Sequence, residues 1–221
     1  MDDSSENIFT ETNSDQSDNE EIALTVTQVL ESMEEAWRNE KFAPEILPQK
    51  YEILDYILGQ INHVDENLSG IHNDDLRRSM HQMELERLRY LVSSYLRTRL
   101  EKIEMFVYFI LKEENERMEK DEQCYLSPSE LEFAKAYKES LDQHFTDSLK
   151  YLPTEIVNRK AWQNEIITPN LDAIIFAKAK SEIESVMIEQ DEVIDLKVGS
   201  QVIISYNNVG HLILNDKVNL I

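Results

Sequence analysis

The chain has 221 residues and a formal net charge of −22, with 44 carboxylates against 22 lysines and arginines. Nucleic-acid affinity rests mainly on neutralising phosphates with basic side chains, so this charge excludes strong autonomous DNA binding and favours basic partners. Hydrophobic residues make up 41% of the chain, enough for a core, while its four glycines fall below the average usage of about 7%. Phosphate-cradling loops and nucleophile elbows consume glycine, and no G-x-S-x-G, Walker or dinucleotide pattern occurs. No apolar run approaches the roughly 18 residues of a membrane-spanning helix, and no secretory signal is visible at the start. Cys124 is the single cysteine, which fits a reducing compartment.

Residues 1–22 read as a disordered acidic tail. The segment carries Asp2, Asp3, Glu6, Glu11, Asp15, Asp18, Glu20 and Glu21 without a lysine or arginine. It has too little apolar surface to offset the entropy of ordering it. Ser14 and Ser17 beside acids resemble kinase sites, and Ile8-Phe9 is a candidate docking motif; the alternative is an inert solubilising tail.

Thr25 and Gln28 form a predicted capping box, and Val26, Val29, Leu30, Met33, Ala36 and Trp37 recur at helical spacing. Ala43-Pro44 ends that helix, because a residue before proline avoids the helical region. A second helix spans about Gln49 to Leu68, closed by Gly70 and Asn73. From Asp74 to about Glu116 there is neither proline nor glycine, and apolar residues recur mostly at spacings of three and four. About 40 residues make a rod of about 60 Å. A compact domain of about 130 residues is only roughly 35–40 Å across, so the rod must break or project. A projecting apolar rod needs a cover, which predicts an obligate partner. The run Met105 to Leu111 is apolar all round, as in a fully buried helix.

A charged loop is expected over 112–123. Ser127, Pro128 and Glu130 then open a fourth helix with a capping box and proline at its first position. Residues 153–170 read as a linker between Pro153 and Pro169. Beyond it the period changes to two, with strand signals at 175–179, 186–188, 194–198, 202–206 and 217–221 and a turn at Gly199-Ser200. The fold class is mainly α with a small β domain. A helical domain over 23–152, with four main helices, one very long, precedes a β-rich domain over 171–221. About 50 residues make a marginal core, so the β-rich domain should dock on something.

His81 and Glu84 lie one helical turn apart but lack the further ligands that a metal site needs. Cys124 has no companion motif for a catalytic thiolate, and the abundant carboxylates show no converging pair. No catalytic residue, cofactor site or metal site is expected. Residues 77–102 form a basic island, seven cations against three carboxylates, or four net positive charges. Arginine dominates it, which suits bidentate pairing with carboxylates at an interface. Intrahelical pairs such as Glu84 with Arg87 are the alternative, and nucleic-acid contact a third.

Three stretches carry a family resemblance: Glu35 to Leu47 (EAWRNEKFAPEIL), His81 to Glu104 (HQMELERLRYLVSSYLRTRLEKIE), and the end from Val193 to Ile221. In order and spacing the chain resembles the SLD-five family of GINS subunits over residues 22–221. The resemblance implies a GINS-type helical A domain followed by a β-rich B domain, in a tetramer with three other GINS subunits of PSF type. It implies that this tetramer joins the MCM helicase ring and a cell-division-cycle cofactor in the replicative helicase, with the ATPase sites in the ring. It further implies a nuclear location and recruitment of a replisome adaptor through residues 1–22. The chain is thus expected to be a non-catalytic structural subunit in initiation and elongation of DNA replication. The alternative is a self-associating helical scaffold or adaptor without a replication role. The candidate interface residues are Leu88, Leu91, Tyr95, Leu96, Phe106, Phe109 and Ile110, with Arg87, Arg89, Arg97 and Arg99 as ionic register. Val218, Leu220 and Ile221 are expected to be buried.

Overall fold

A computed structural model describes residues 26–70, 75–151, 166–189 and 192–221. The expected disorder of 1–22, the Thr25 cap and most of the linker fall outside the described residues. The helical part contains α1 (Val26–Phe42), α2 (Tyr51–Ser69), α3 (Leu76–Met105), α4 (Val107–Glu119) and α5 (Pro128–Leu149). The C-terminal part contains β1 (Ile174–Ala179), β2 (Ile183–Glu189), β3 (Glu192–Leu196), β4 (Gln201–Ser205), α6 (Tyr206–Leu214) and β5 (Val218–Leu220).

The long helix breaks rather than running to Glu116. Phe106 leaves helical geometry at φ −119° and ψ 28° and separates α3 from α4. Hydrogen bonding continues across the break, from the Phe106 amide to the Lys102 carbonyl and from the Ile110 amide to the Phe106 carbonyl, both at 2.9 Å. Beyond the break α4 packs on α5, where Val107, Ile110 and Leu111 share a core with Ile103, Ile46, Leu126 and Ala134. A second core joins Val29, Met33 and Ala36 of α1, Ile57 and Ile61 of α2, and Leu91, Val92 and Tyr95 of α3. Residues 112–119, expected as loop, complete α4. Their charges pair along the helix, Glu113 with Arg117 at 2.6 Å and Lys112 with Glu116 at 3.9 Å.

Local signals set the helix ends. The Asp75 side chain accepts from the Arg77 amide at 2.9 Å and caps α3. At α5 the predicted capping box forms with both bonds present: the Glu130 amide donates to Ser127 Oγ, and the Ser127 amide to the Glu130 carboxylate.

In the C-terminal part, β1 is central in an antiparallel sheet of order β4–β1–β5, and β2 pairs with β3 in a separate ribbon. The turn before β4 needs a left-handed residue, and Gly199 supplies it at φ 83°. Tyr206, expected to end a strand, instead opens α6, which covers one sheet face with Tyr206, Val209, Leu212 and Ile213. Ala43 and Leu47 of the helical part belong to that same core. The expectation that the small β-rich part docks is met within the chain itself.

Candidate subunit interface

On α3, residues at alternating steps of three and four divide between two seams. The inner seam holds Leu85, Val92, Tyr95, Arg99, Lys102 and Ile103, all buried. The outer seam holds Leu76, Met80, Met83, Arg87 and Tyr90, all exposed, with Met83 at 75% and Tyr90 at 66%. A helix carrying apolar residues on two seams has one more apolar face than its own bundle covers. Outside the helices, the outer face of the β4–β1–β5 sheet presents Ile174, Phe176 and Ile203 to solvent, with Phe176 opposite Ile203 in register.

The structure gives most candidate interface residues partners inside the chain. Leu91, Tyr95 and Ile110 are buried, and Leu88, Leu96, Phe106 and Phe109 are half-buried against the same cores. Val218 and Leu220 are buried in the core around α6, as expected. Ile221 is not: it is exposed, because β5 ends at Leu220 and the alternating pattern turns the last side chain outward. Its amide still donates to the Phe176 carbonyl at 3.0 Å.

The basic island separates into surface and interior. Arg87 pairs with Glu34 of α1, not with Glu84, and Arg89 bridges Asp65 at 3.1 Å and Glu86 at 3.2 Å. Arg97 is exposed and has no charged partner among the described residues. Arg99 is 1% exposed, and all five of its N–H donors are used. Nε and Nη2 grip the two Glu130 oxygens at 2.7 and 3.0 Å. Nη1 reaches Glu40 at 3.1 Å and the Leu47 carbonyl at 2.7 Å, and Nη2 also reaches the Tyr125 carbonyl at 2.9 Å. Lys102 Nζ donates to the Glu40 carboxylate at 2.8 Å, the Glu45 carbonyl at 2.7 Å and the Glu40 carbonyl. Buried charges persist only when paired and hydrogen-bonded in this way.

The electrostatics follow from that packing. Burial works against the Arg99 charge, but the Glu130 hydrogen bond and the nearby Glu40 carboxylate overcome it and hold the guanidinium protonated. Burial also pushes Glu130 up, yet its bonds to Arg99 and Ser127 bring the carboxyl below its ordinary value. Lys102 is lowered because burial outweighs its pairing with Glu40. This cluster is closed and fully engaged, with no room for a reacting molecule. His81 lies 3.6 Å from Glu84, and no metal-binding cluster occurs among the described residues. Burial raises the Cys124 thiol, with the Glu114 charge adding to it, which opposes thiolate activation.

The sequence signal for the buried cluster was present. Arg99 falls on the apolar stripe, four residues after Tyr95 and four before Ile103. An arginine on the inner seam must find internal carboxylates, and that distinguishes it from Arg87, Arg89 and Arg97.

Comparison with known proteins gives consistent matches. Residues 50–149 match the GINS complex protein helical bundle domain, and residues 169–221 match the C-terminus of the DNA replication complex GINS protein SLD5. The chain is 41% identical to the SLD5 protein of Mus musculus over 209 residues, covering 91% of this chain and 93% of that protein. For the Homo sapiens protein the identity is 39% over the same shares. For the Arabidopsis thaliana protein it is 32%, covering 90% and 93%. These matches lend no support to the self-associating alternative.

Proposed function

Because this chain belongs to the SLD5 family of GINS complex proteins, we propose that it meets a sister subunit along the exposed outer seam of α3. It is a non-catalytic structural subunit of the GINS complex in DNA replication, and other GINS subunits are its partners. The observation that carries the placement is the row Leu76, Met80, Met83 and Tyr90, an apolar seam at heptad spacing that the chain's own bundle leaves uncovered. Such a seam takes a second helix with knobs-into-holes packing. The partner would be a PSF-type subunit, one of three. Half-buried Leu88, Leu96, Phe106 and Phe109 border the contact, and Arg87, Arg89 and Arg97 set its ionic register. Leu91, Tyr95, Ile110 and Arg99 support it from beneath. The β-rich part, with Val218, Leu220 and Ile221 near its end, meets a further subunit.

The working domain plan is a tail over 1–22, a helical A domain over 23–152, a linker over 153–170 and a B domain over 171–221. The assembled tetramer acts in the nucleus, bound to the MCM helicase ring and a cell-division-cycle cofactor, and residues 1–22 recruit a replisome adaptor. A net charge of −22 fits a protein-binding rather than a DNA-binding role.

Site-specific photocrosslinking tests the seam. A photoreactive residue at position 83 or 90, in the chain co-expressed with three other GINS subunits, should capture one sister subunit. Efficient assembly with no crosslink from either position would place the contact elsewhere.

A further inference from the structure

Residues 43–50 connect α1 to α2 without regular secondary structure, and both faces of the segment are occupied. On one face, the Glu45 carbonyl accepts from Lys102 and the Leu47 carbonyl from Arg99, both at 2.7 Å. On the other face, Ala43 and Leu47 share a buried core with Ala177, Tyr206, Val209 and Leu220. Glu45 Oε1 also accepts from the Tyr206 hydroxyl at 2.6 Å. Burial, together with the Glu45 charge, pushes the Tyr206 phenol well above its ordinary value, so this bond is made by a neutral donor. Glu40, which binds both cations, lies one residue after Asn39, and Asn39 Oδ1 accepts from the Leu220 amide at 2.8 Å.

An irregular segment has no hydrogen-bond ladder of its own to fix it. Its carbonyls need outside donors, and its position follows those donors. Here two buried cations supply them. Arg99 and Lys102 make no hydrogen bond to the β-rich part among the described residues. They act on it through the segment on which it rests and, by way of Glu40, through the neighbouring Asn39 that holds the Leu220 amide.

We propose that the buried Glu40–Lys102–Arg99–Glu130 cluster is a positioning latch for the C-terminal β-rich part. By fixing residues 43–50, it sets the orientation in which the helical part carries that unit. The outer sheet face with Ile174, Phe176 and Ile203 is therefore held in a defined direction even before any partner covers it. The latch rests on contacts inside the chain and stands apart from the choice of α3 seam.

Amide hydrogen exchange on the full chain, assembled with the other GINS subunits, tests the latch. Lys102→Met removes the Glu45 contact and the two Lys102 bonds to Glu40, while both carboxylates stay paired with Arg99. Arg99→Met removes the Leu47 contact but leaves the buried Glu130 without a cation, so Lys102→Met decides the question where Arg99→Met does not assemble. Val92→Ala, in the separate core of α1, α2 and α3, is the control. Lys102→Met should raise exchange at least tenfold in residues 44–50 and in residues 206–220, with residues 85–96 unchanged. Val92→Ala should raise exchange in 85–96 and leave 206–220 as in the wild type. An even increase over all helices, or opening of 44–50 with 206–220 still protected, would overturn the proposal.

Discussion

Arg99 on α3 and Glu130 at the start of α5 form a buried bidentate pair, with N–O distances of 2.7 and 3.0 Å. Glu130 is also the third helical residue of the α5 capping box. One carboxylate therefore both starts a helix and neutralises the charge at the centre of the bundle.

This pairing predicts a specific acid response. The folded-state pKa of Glu130 is lowered, so its contribution is fully present above the unfolded value of about 4.3 and is lost as pH falls through the lower folded value. Glu130→Gln should cost about 3–5 kcal/mol at pH 7, as expected for breaking a buried pair. It should also flatten the loss of stability below pH ~4.3. Urea unfolding of both forms from pH 3 to 7 measures this. An unchanged acid slope would refute it.

Ser127 contributes through the same carboxylate. Ser127→Ala should cost about 1 kcal/mol from the lost cap, and more where freeing Glu130 weakens its grip on Arg99. A double-mutant cycle with Glu130→Gln separates the two parts. Additive effects would mean that the cap and the ion pair are independent.

The chain end is a stability element. Leu220 is 1% exposed in the core beneath α6, so Leu220→Ala should cost about 2–5 kcal/mol. Ile221→Ala should stay within about 0.5 kcal/mol, because that side chain points to solvent. Thermal unfolding of the assembled protein compares them. Equal effects would contradict the observed alternation along β5.

Much of this fold was legible because its helices carry strong periodicity and explicit caps. The Ser127-Pro128-Ser129-Glu130 signature located α5 to the residue. The break at Phe106 was not legible, because no proline or glycine marks it and the sequence stays apolar through it. It goes with tertiary packing, as α4 buries Val107 and Ile110 in a core shared with α5. The charged end of α4 reads as loop because it lacks an apolar stripe, although Glu113 and Arg117 have helical spacing. Val202, Ile204 and Tyr206 alternate as in a strand, and only the cover that Tyr206 and Val209 give the sheet selects a helix after Ser205. At the candidate interface, the apolar inner seam is visible in the sequence, which does not tell internal partners from those of another chain. The exposed seam carries methionines and a tyrosine spaced between charges, a weaker hydrophobic signal.

The outer seam separates assembly from folding. Met80→Glu with Met83→Glu should leave the helicity of the chain unchanged, since both side chains are exposed. The same pair should abolish or greatly weaken recovery of a complex on size exclusion. A variant that still assembles fully would remove α3 from the contact.

Light-scattering mass shows whether this chain is an obligate structural subunit. The chain would be measured alone and co-expressed with three other GINS subunits. The chain alone should be aggregated or unstable, and co-expression should give a complex with one copy of each subunit. A well-folded monomer that ignores those subunits would contradict that expectation.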